Sequence, residues 1–313
     1  MAESATAPDP RMNIYSRPQQ LVEVEPGRRL NVNVTGAGSP TVILSAGGGC
    51  STIHWGLVQA RLARTNRVFS FDRAGMGFSD PGPTPRTTGR SVDDLRAALA
   101  ALGVGPPYVL VGHSMGSFDT RLFAFRNAGE VAGMVLVDPR GDQMNKRMTA
   151  IAPFLVKELQ DSREQVRRNA EIAATKPAPG TADYESLVSP DDPNLTSAVN
   201  AAFRDAALRP SYWQTLASEG DCLDGVSADE LAGAKRHLGA MPLIVLTAAA
   251  PPFPCPPQYA DAVMAMWRTS HDELAALSDR GVRRDVPNVG HMIPTLRPEV
   301  VVDAIREVCA AIA

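Results

Sequence analysis

The chain has 313 residues, 44% of them hydrophobic and 21% charged, with a formal net charge of -3 and a pI near 6.0. This composition excludes global disorder, and the mild acidity without a long basic run excludes a nucleic-acid-binding surface. No apolar run reaches the roughly 20 residues of a membrane span. The polar opening MAESATAPDPRMN lacks the apolar core of a signal peptide, so a cytoplasmic protein is expected.

In chain order, an N-terminal extension over 1–20 precedes LVEVE (Leu21–Glu25) and LNVNV (Leu30–Val34). These two runs alternate apolar and polar residues around Pro26-Gly27 and predict an antiparallel hairpin. TVILSA (Thr41–Ala46) predicts a buried strand ending in Gly47-Gly48-Gly49, followed by a helix carrying Trp55, Leu57, Val58 and Leu62. RVFSFD (Arg67–Asp72) predicts the next strand, and SVDDLRAALAAL (Ser91–Leu102) a helix capped by Ser91. YVLVG, a helix over Phe118–Arg126, and the strand VAGMVLVD (Val131–Asp138) follow.

Residues 139–239 are Ala- and charge-rich, helical in pattern, and carry no strong strand signal. Alternation resumes with PLIVLTA (Pro242–Ala248), a helix over Pro257–Ser278, GVRRDVPN (Gly281–Asn288) and an amphipathic helix over Pro298–Ile312. Solidly apolar strands alternating with helices imply a parallel sheet covered on both faces. The expected organisation is an α/β core over 21–138 and 240–313 with a helical cap over 139–239.

Cys50, Cys222, Cys255 and Cys309 have no CxxC spacing, which argues against zinc or redox chemistry. Cys309 reads as core filler, and Cys222 and Cys255 could form a bridge that spacing alone does not decide. No metal or cofactor is expected, and the natural partner is a small-molecule substrate of a monomer or homodimer.

The stretch YVLVGHSMG (Tyr108–Gly116) carries the chemistry. A serine hydroxyl is a weak nucleophile unless a base adjoins it. A sharp strand-to-helix turn exposes Ser114 at the carboxyl edge of the sheet, and its crowding requires minimal side chains at Gly112 and Gly116. The helix that follows aims N–H groups at negative charge forming beside Ser114. A GxSxG turn alone is a weak signal, but here the strand before it and the helix after it supply the required context.

Five histidines are available as the base. His113 lies inside the elbow with its ring turned from the nucleophile, His54 is on the first helix, and His237 and His271 read as surface residues. His291, in NVGHM, directly follows the last strand and so shares an edge with Ser114. The acid must orient the imidazole. The loop TAAAPPFPCPP after the penultimate strand offers no carboxylate before Asp261, whereas Asp138 ends VLVD one strand along from the elbow. Asp138 is therefore the expected acid, with Asp142 second. The oxyanion donors are expected to be the N–H groups of Met115 and Gly48. A phosphate-binding role for the three glycines fails on spacing, since neither GK[ST] nor GxGxxG is present. Candidate substrate contacts are Gly49, His113, Met144, Phe154, Trp213 and Phe253: the segment SYWQTL (Ser211–Leu216), with Met144, Met148, Phe154 and Phe203, could line an apolar pocket or pack the cap onto the body, and the stiff loop PPFPCPP could wall it.

GHSMG, SAGGGCSTIHW, FDRAGMGFSD (Phe71–Asp80), VLVDP and the late GH together resemble the α/β-hydrolase superfamily, from about Leu21 to Ile312. The resemblance implies an eight-stranded, mostly parallel sheet with helices on both faces, an inserted helical cap, a Ser–acid–His triad and no cofactor. In that family the DRAGMGFSD turn braces active-site loops, so Asp72 and Arg73 receive no catalytic role. The sequence departs from the family in its small-residue glycine loop and in lacking an acid after the penultimate strand; some members take the acid from the position Asp138 occupies. The implied activity is hydrolysis of a carboxylic ester, lactone or activated amide of a small to medium apolar substrate. A proline-releasing peptidase, a carbon–carbon bond hydrolase or a cofactor-free perhydrolase would use the same residues. A non-catalytic ligand-binding or sensor protein on the same fold is the alternative of another class.

Overall fold

The computed structural model describes residues 9–312. Eight strands form one sheet: β1 (Gln20–Glu25), β2 (Arg28–Thr35), β3 (Thr41–Ser45), β4 (Val68–Phe71), β5 (Tyr108–His113), β6 (Val131–Val137), β7 (Leu243–Ala248) and β8 (Gly281–Val286). Their order across the sheet is β1-β2-β4-β3-β5-β6-β7-β8. The β1–β2 and β2–β4 pairs are antiparallel, and every pair from β4 through β3 to β8 is parallel. The expected hairpin and mostly parallel sheet are therefore present.

Helices α1 (Gly56–Leu62), α2 (Thr88–Ala101) and α3 (Gly116–Arg126) connect the first strands. Between β6 and β7 lie α4 (Met144–Ile151), α5 (Leu155–Ala174), α6 (Ala182–Leu187), α7 (Ser197–Ala207), α8 (Pro210–Cys222) and α9 (Val226–Ala234). No strand interrupts this insertion among the described residues. Helices α10 (Pro257–Ala275), α11 (Ile293–Leu296) and α12 (Pro298–Ala310) complete the chain.

Two apolar clusters show why the strands are solidly apolar. In β5, Leu110 faces a cluster with Ile43, Phe69, Phe118, Leu122 and Leu136. Its neighbours Val109 and Val111 face the other, with Val42, Leu44, Trp55, Val135 and Ile305. Side chains alternate across a strand, so covering both faces with helices demands apolar residues at every position. Each fully buried Val or Leu contributes about 1.5–3 kcal/mol relative to exposure.

Two sequence expectations, the cap of α2 and the placement of His271, need correction, and the open question of a Cys222–Cys255 bridge is answered. Helix α2 begins at Thr88, capped by the Thr87 hydroxyl accepting from the Arg90 N–H, and Ser91 lies inside it. Threonine caps as serine does, and it stands earlier, at the end of the proline-rich loop. Cys222 and Cys255 are both free. His271 is fully buried, not on the surface. Of the N-terminal segment, Pro10–Ser16 forms a 3-10 turn that buries Met12 and Tyr15. Those two side chains occupy the space a Cβ at Gly56 would need. No helix among the described residues is long and apolar enough to cross a membrane.

Candidate active site

The sheet delivers three side chains to its carboxyl edge. Strand β5 ends at His113, and Ser114 follows with φ +51, a left-handed conformation that a serine adopts only where its surroundings enforce it. The enforcement is steric. A Cβ on Gly112 would lie 2.6 Å from Thr120 Oγ1 and 2.7 Å from the Gly116 carbonyl oxygen; one on Gly116 would lie 2.7 Å from the Ala46 carbonyl oxygen. Both glycines are thus required by the close approach of β3, β5 and α3. The Ser114 carbonyl accepts from the N–H groups of Ser117 (3.1 Å) and Arg140 (3.0 Å), tying the elbow to the segment after β6.

That segment opens with Asp138, also left-handed at φ +41 and completely buried. Its Oδ2 lies 2.6 Å from Nδ1 of His291. Its Oδ1 accepts from the Ala248 N–H and from Trp267 Nε1, both at 2.9 Å. Burial would push this carboxyl up, but its hydrogen bond to His291, the electrostatic pull of that ring and the Ala248 N–H together hold it below its usual range. A carboxylate only accepts, so the hydrogen between the two is donated by His291 Nδ1.

The imidazole of His291 is partly exposed, whereas two histidines behind it are buried. His113 Nε2 donates to the His291 carbonyl oxygen at 2.9 Å, and the two rings sit 4.7 Å apart. Burial, with the nearby His291, pushes His113 down to about 3, so it is neutral. His271 Nε2 donates to the Pro139 carbonyl at 2.9 Å, and its Nδ1 lies 2.8 Å from Thr247 Oγ1. Burial pushes His271 down to about 4. These neutral rings fix the two loops that carry Asp138 and His291. Ser114 Oγ makes no hydrogen bond among the described residues. Such links are often long without substrate and tighten in the Michaelis complex.

The glycine loop stands against the elbow. The Cβ direction of Gly47 comes within 3.2 Å of Ser114 Cβ, and that of Gly48 within 3.7 Å of Met115 Sδ. The N–H groups of Met115 and Gly48 have no acceptor among the described residues, which leaves both free for an incoming oxygen. Arg73 braces this loop from behind: its Nη1 donates to the Ala46 carbonyl and its Nη2 to the Gly47 carbonyl at 2.8 Å. Gly49 accepts at its carbonyl from the Tyr212 hydroxyl at 3.3 Å.

The other sequence candidates separate. Asp142 pairs with Arg121 Nη1 at 2.6 Å, and Asp261 is exposed, so neither meets His291. His113 is buried beneath the site and does not face an open cleft. Met144 is completely buried with Met148, Leu155, Val263 and Trp267, and Phe154 and Phe253 pack onto that group. This cluster backs Trp267 and hence Asp138, a packing role that apolar pattern alone could not distinguish from a pocket wall. Trp213 is turned away, donating from Nε1 to the Ala207 carbonyl at 2.7 Å; its neighbour Tyr212 faces Gly49. Phe203 packs edge-on to His54 at 5.3 Å. Sequence reasoning reached Tyr212 only as part of SYWQTL (Ser211–Leu216), a candidate pocket wall, and missed Glu219, although the spacing of both with Leu216 along α8 marks one helix face.

Comparison with known proteins agrees with this architecture. The profile of the alpha/beta hydrolase family matches residues 42–304. The uncharacterized protein YqjL of Bacillus subtilis is 38% identical over 104 residues, 33% of this chain and 41% of that protein. An AB hydrolase superfamily protein of Gibberella zeae is 32% identical over 113 residues, 35% of each chain. The chain thus spans less than half the length of these curated relatives. Among solved structures, a thermophilic esterase from Thermogutta terrifontis superposes with a TM-score of 0.61 at 22% identity, covering 94% of this chain and 99% of that one. The enol-lactonase from Burkholderia xenovorans does so with a TM-score of 0.61 at 18% identity, covering 92% and 99%. At these identities the two structures establish the fold.

Proposed function

Since this chain belongs to the alpha/beta hydrolase family, we propose that it is a serine hydrolase that cleaves a carboxylic ester, lactone or activated amide through an acyl-serine. The observation that carries the reading is the 2.6 Å contact between Asp138 Oδ2 and His291 Nδ1 at the sheet edge where Ser114 forms a strained elbow. A buried carboxylate behind a partly exposed imidazole, beside a serine, is the arrangement that proton transfer from an alcohol requires.

In this reading Ser114 Oγ attacks the carbonyl carbon while His291 Nε2 takes its proton. Asp138 stabilises the resulting imidazolium and fixes its tautomer. The oxyanion is received by the N–H groups of Met115 and Gly48. The tetrahedral intermediate collapses, His291 returns the proton to the leaving oxygen or nitrogen, and the acyl group stays on Ser114. Water then attacks the acyl-enzyme with His291 again as base, releasing the carboxylic acid and restoring the serine. The serine at the elbow disfavours the carboxylate-nucleophile chemistry of epoxide and haloalkane cleavage. Helices α4–α9 would act as the cap that shapes a small to medium apolar substrate.

The test is a fluorophosphonate probe followed by peptide mass spectrometry, alongside turnover of p-nitrophenyl esters of graded acyl length. An adduct on Ser114, absent in Ser114→Ala, is expected together with ester turnover. An adduct on a different serine, or full turnover by Ser114→Ala, would overturn the assignment.

A further inference from the structure

We propose that Glu219, on the inserted helix α8, is a positioning residue for the Gly48 oxyanion donor, acting through Arg73; this rests on the serine-hydrolase reading. Arg73 Nε donates to Glu219 Oε1 at 2.8 Å, and Nη2 approaches Glu219 Oε2 at 3.3 Å. The same guanidinium holds the carbonyls of Ala46 and Gly47. Both side chains are almost sealed from solvent, at 2% and 7% exposure.

The link to catalysis is the peptide plane. A trans peptide points its C=O and its N–H in opposite directions. By binding the Gly47 carbonyl, Arg73 turns the N–H of the next residue, Gly48, away from itself. A Cβ on Gly47 would lie 3.2 Å from Ser114 Cβ and one on Gly48 3.7 Å from Met115 Sδ, so both residues of that peptide stand against the elbow. Three consecutive glycines have no steric preference of their own to hold that orientation. Within the loop the Cys50 N–H reaches the Gly47 carbonyl at 3.1 Å, and the guanidinium adds a charged hold from outside it.

Glu219 keeps the guanidinium there. A buried charge held only by carbonyls is left uncompensated, and removing one partner of a buried pair is costly because the other stays behind. Asp119 is the other carboxyl near Arg73, but its Oδ2 is bonded to Ser45 Oγ at 2.8 Å, below the loop. Without Glu219, Arg73 is drawn toward Asp119 or solvent and releases the two carbonyls. The rest of α8 supports the same contact. Tyr212 reaches the Gly49 carbonyl, Leu216 lies beside Gly49, and Thr215 fills the space beside Gly75 in the turn after Arg73. Residues 212, 215, 216 and 219 form one face of the helix. Seating of α8 and placement of the oxyanion donor are therefore one structural event, and substrates that press α8 home gain in kcat.

Glu219→Gln and Glu219→Asp, assayed with a p-nitrophenyl ester, test this. Loss of one oxyanion donor costs about 10²–10³ in kcat, and a misplaced one should cost roughly 10–100-fold in Glu219→Gln. KM should stay within about threefold, because the interaction lost is made in the transition state. Glu219→Asp, which keeps the charge, should recover most of kcat. Fluorophosphonate labelling of Ser114 should slow with kcat in Glu219→Gln, while circular dichroism and the thermal transition report the folded fraction. If Glu219→Gln does not fold, the apolar pair Arg73→Met/Glu219→Met replaces it and should show the same kcat loss. Folded protein with wild-type kcat in either variant, a rise in KM alone, or an aspartate variant as impaired as the glutamine one overturns the proposal. If wild-type protein neither turns over ester nor labels at Ser114, the serine-hydrolase reading falls and this proposal with it. If wild type does both and Glu219→Gln matches it, only this proposal falls.

Discussion

The two sides of the site are held by different parts of the molecule. On the acid–base side, Asp138 and His291 are fixed by the α/β core: the Ala248 N–H at the end of β7, Trp267 and His271 on α10, and His113 at the end of β5. On the oxyanion side, the glycine loop is fixed by Arg73, and Arg73 by Glu219 of an inserted helix. The first side is built from buried neutral rings around one carboxylate, and the second from a buried ion pair around flexible backbone. In the proposed mechanism, proton transfer then depends on the strand ends and on Trp267, which α4 and α5 back, and oxyanion stabilisation on the seating of α8.

The largest losses are expected at the groups both sides serve. Ser114→Ala and His291→Ala should each abolish turnover to a similar background, because the two act as one unit; in a serine protease such losses reached about 10⁶ in kcat. Steady-state kinetics of the two single variants and the double variant check this. Additive losses in the double variant would show that His291 is not the base for Ser114. The next largest effect belongs to the core side alone. Asp138→Asn preserves shape but lets the imidazole adopt the wrong tautomer, with an expected loss of about 10⁴-fold in kcat. Asp142→Asn should be mild, since Asp142 faces Arg121. Equal losses at both positions would break the assignment of the acid.

Trp267→Phe sharpens the same side. It keeps the ring in the apolar cluster and removes one of two donors to Asp138 Oδ1. A hydrogen bond to a buried charge contributes about 1.5–3 kcal/mol, so the thermal transition should fall measurably. We expect kcat to drop about tenfold or less, far short of Asp138→Asn, because the Ala248 N–H still holds the carboxylate. A loss as large as that of Asp138→Asn would mean that Trp267, and not the strand end, sets the geometry.

The core side was legible in the sequence to the extent that strands announce their ends. VLVD is an apolar run that stops at Asp138, NVGH is a short turn after the last strand, and the structure brings Asp138 and His291 together. The same reasoning failed for His271 because Asp272 and Glu273 follow it and suggest a wet face. The signal lay in the helical period, since Val263, Trp267, Ser270 and Leu274 are buried on the side of α10 that carries His271. The insertion side was less legible. Arg73 could be read as bracing, but its partner stands 146 residues later in a segment without strand or turn landmarks. A buried glutamate on a helix is indistinguishable in sequence from a solvated one. Met144, Phe154 and Phe253 illustrate the matching ambiguity among apolar residues, which pack behind Trp267.

The smallest expected effect on catalysis, and the one that separates the sides by pH, concerns the buried histidines. His113 and His271 are held at about 3 and about 4, against about 6.5 for an unfolded histidine. Their folded values are depressed, so between roughly pH 6.5 and 4 the unfolded chain binds protons that the folded chain refuses. Stability is then full above about pH 6.5 and falls as the pH drops, by up to about 1.4 kcal/mol per pH unit for each ring. Asp138 adds a further loss below about pH 4, where the unfolded carboxyl takes up a proton that the depressed folded one refuses. All three groups lie on the core side. Urea midpoints measured from pH 7.5 to 4.5 should therefore decline, and the decline should flatten in His271→Gln, which cannot take up the proton in either state. That variant should keep most of its kcat at pH 7.5, since the side-chain amide can still donate to the Pro139 carbonyl. An unchanged slope in His271→Gln would mean that His271 does not resist protonation in the folded protein, and the account of how the core holds Asp138 would have to change.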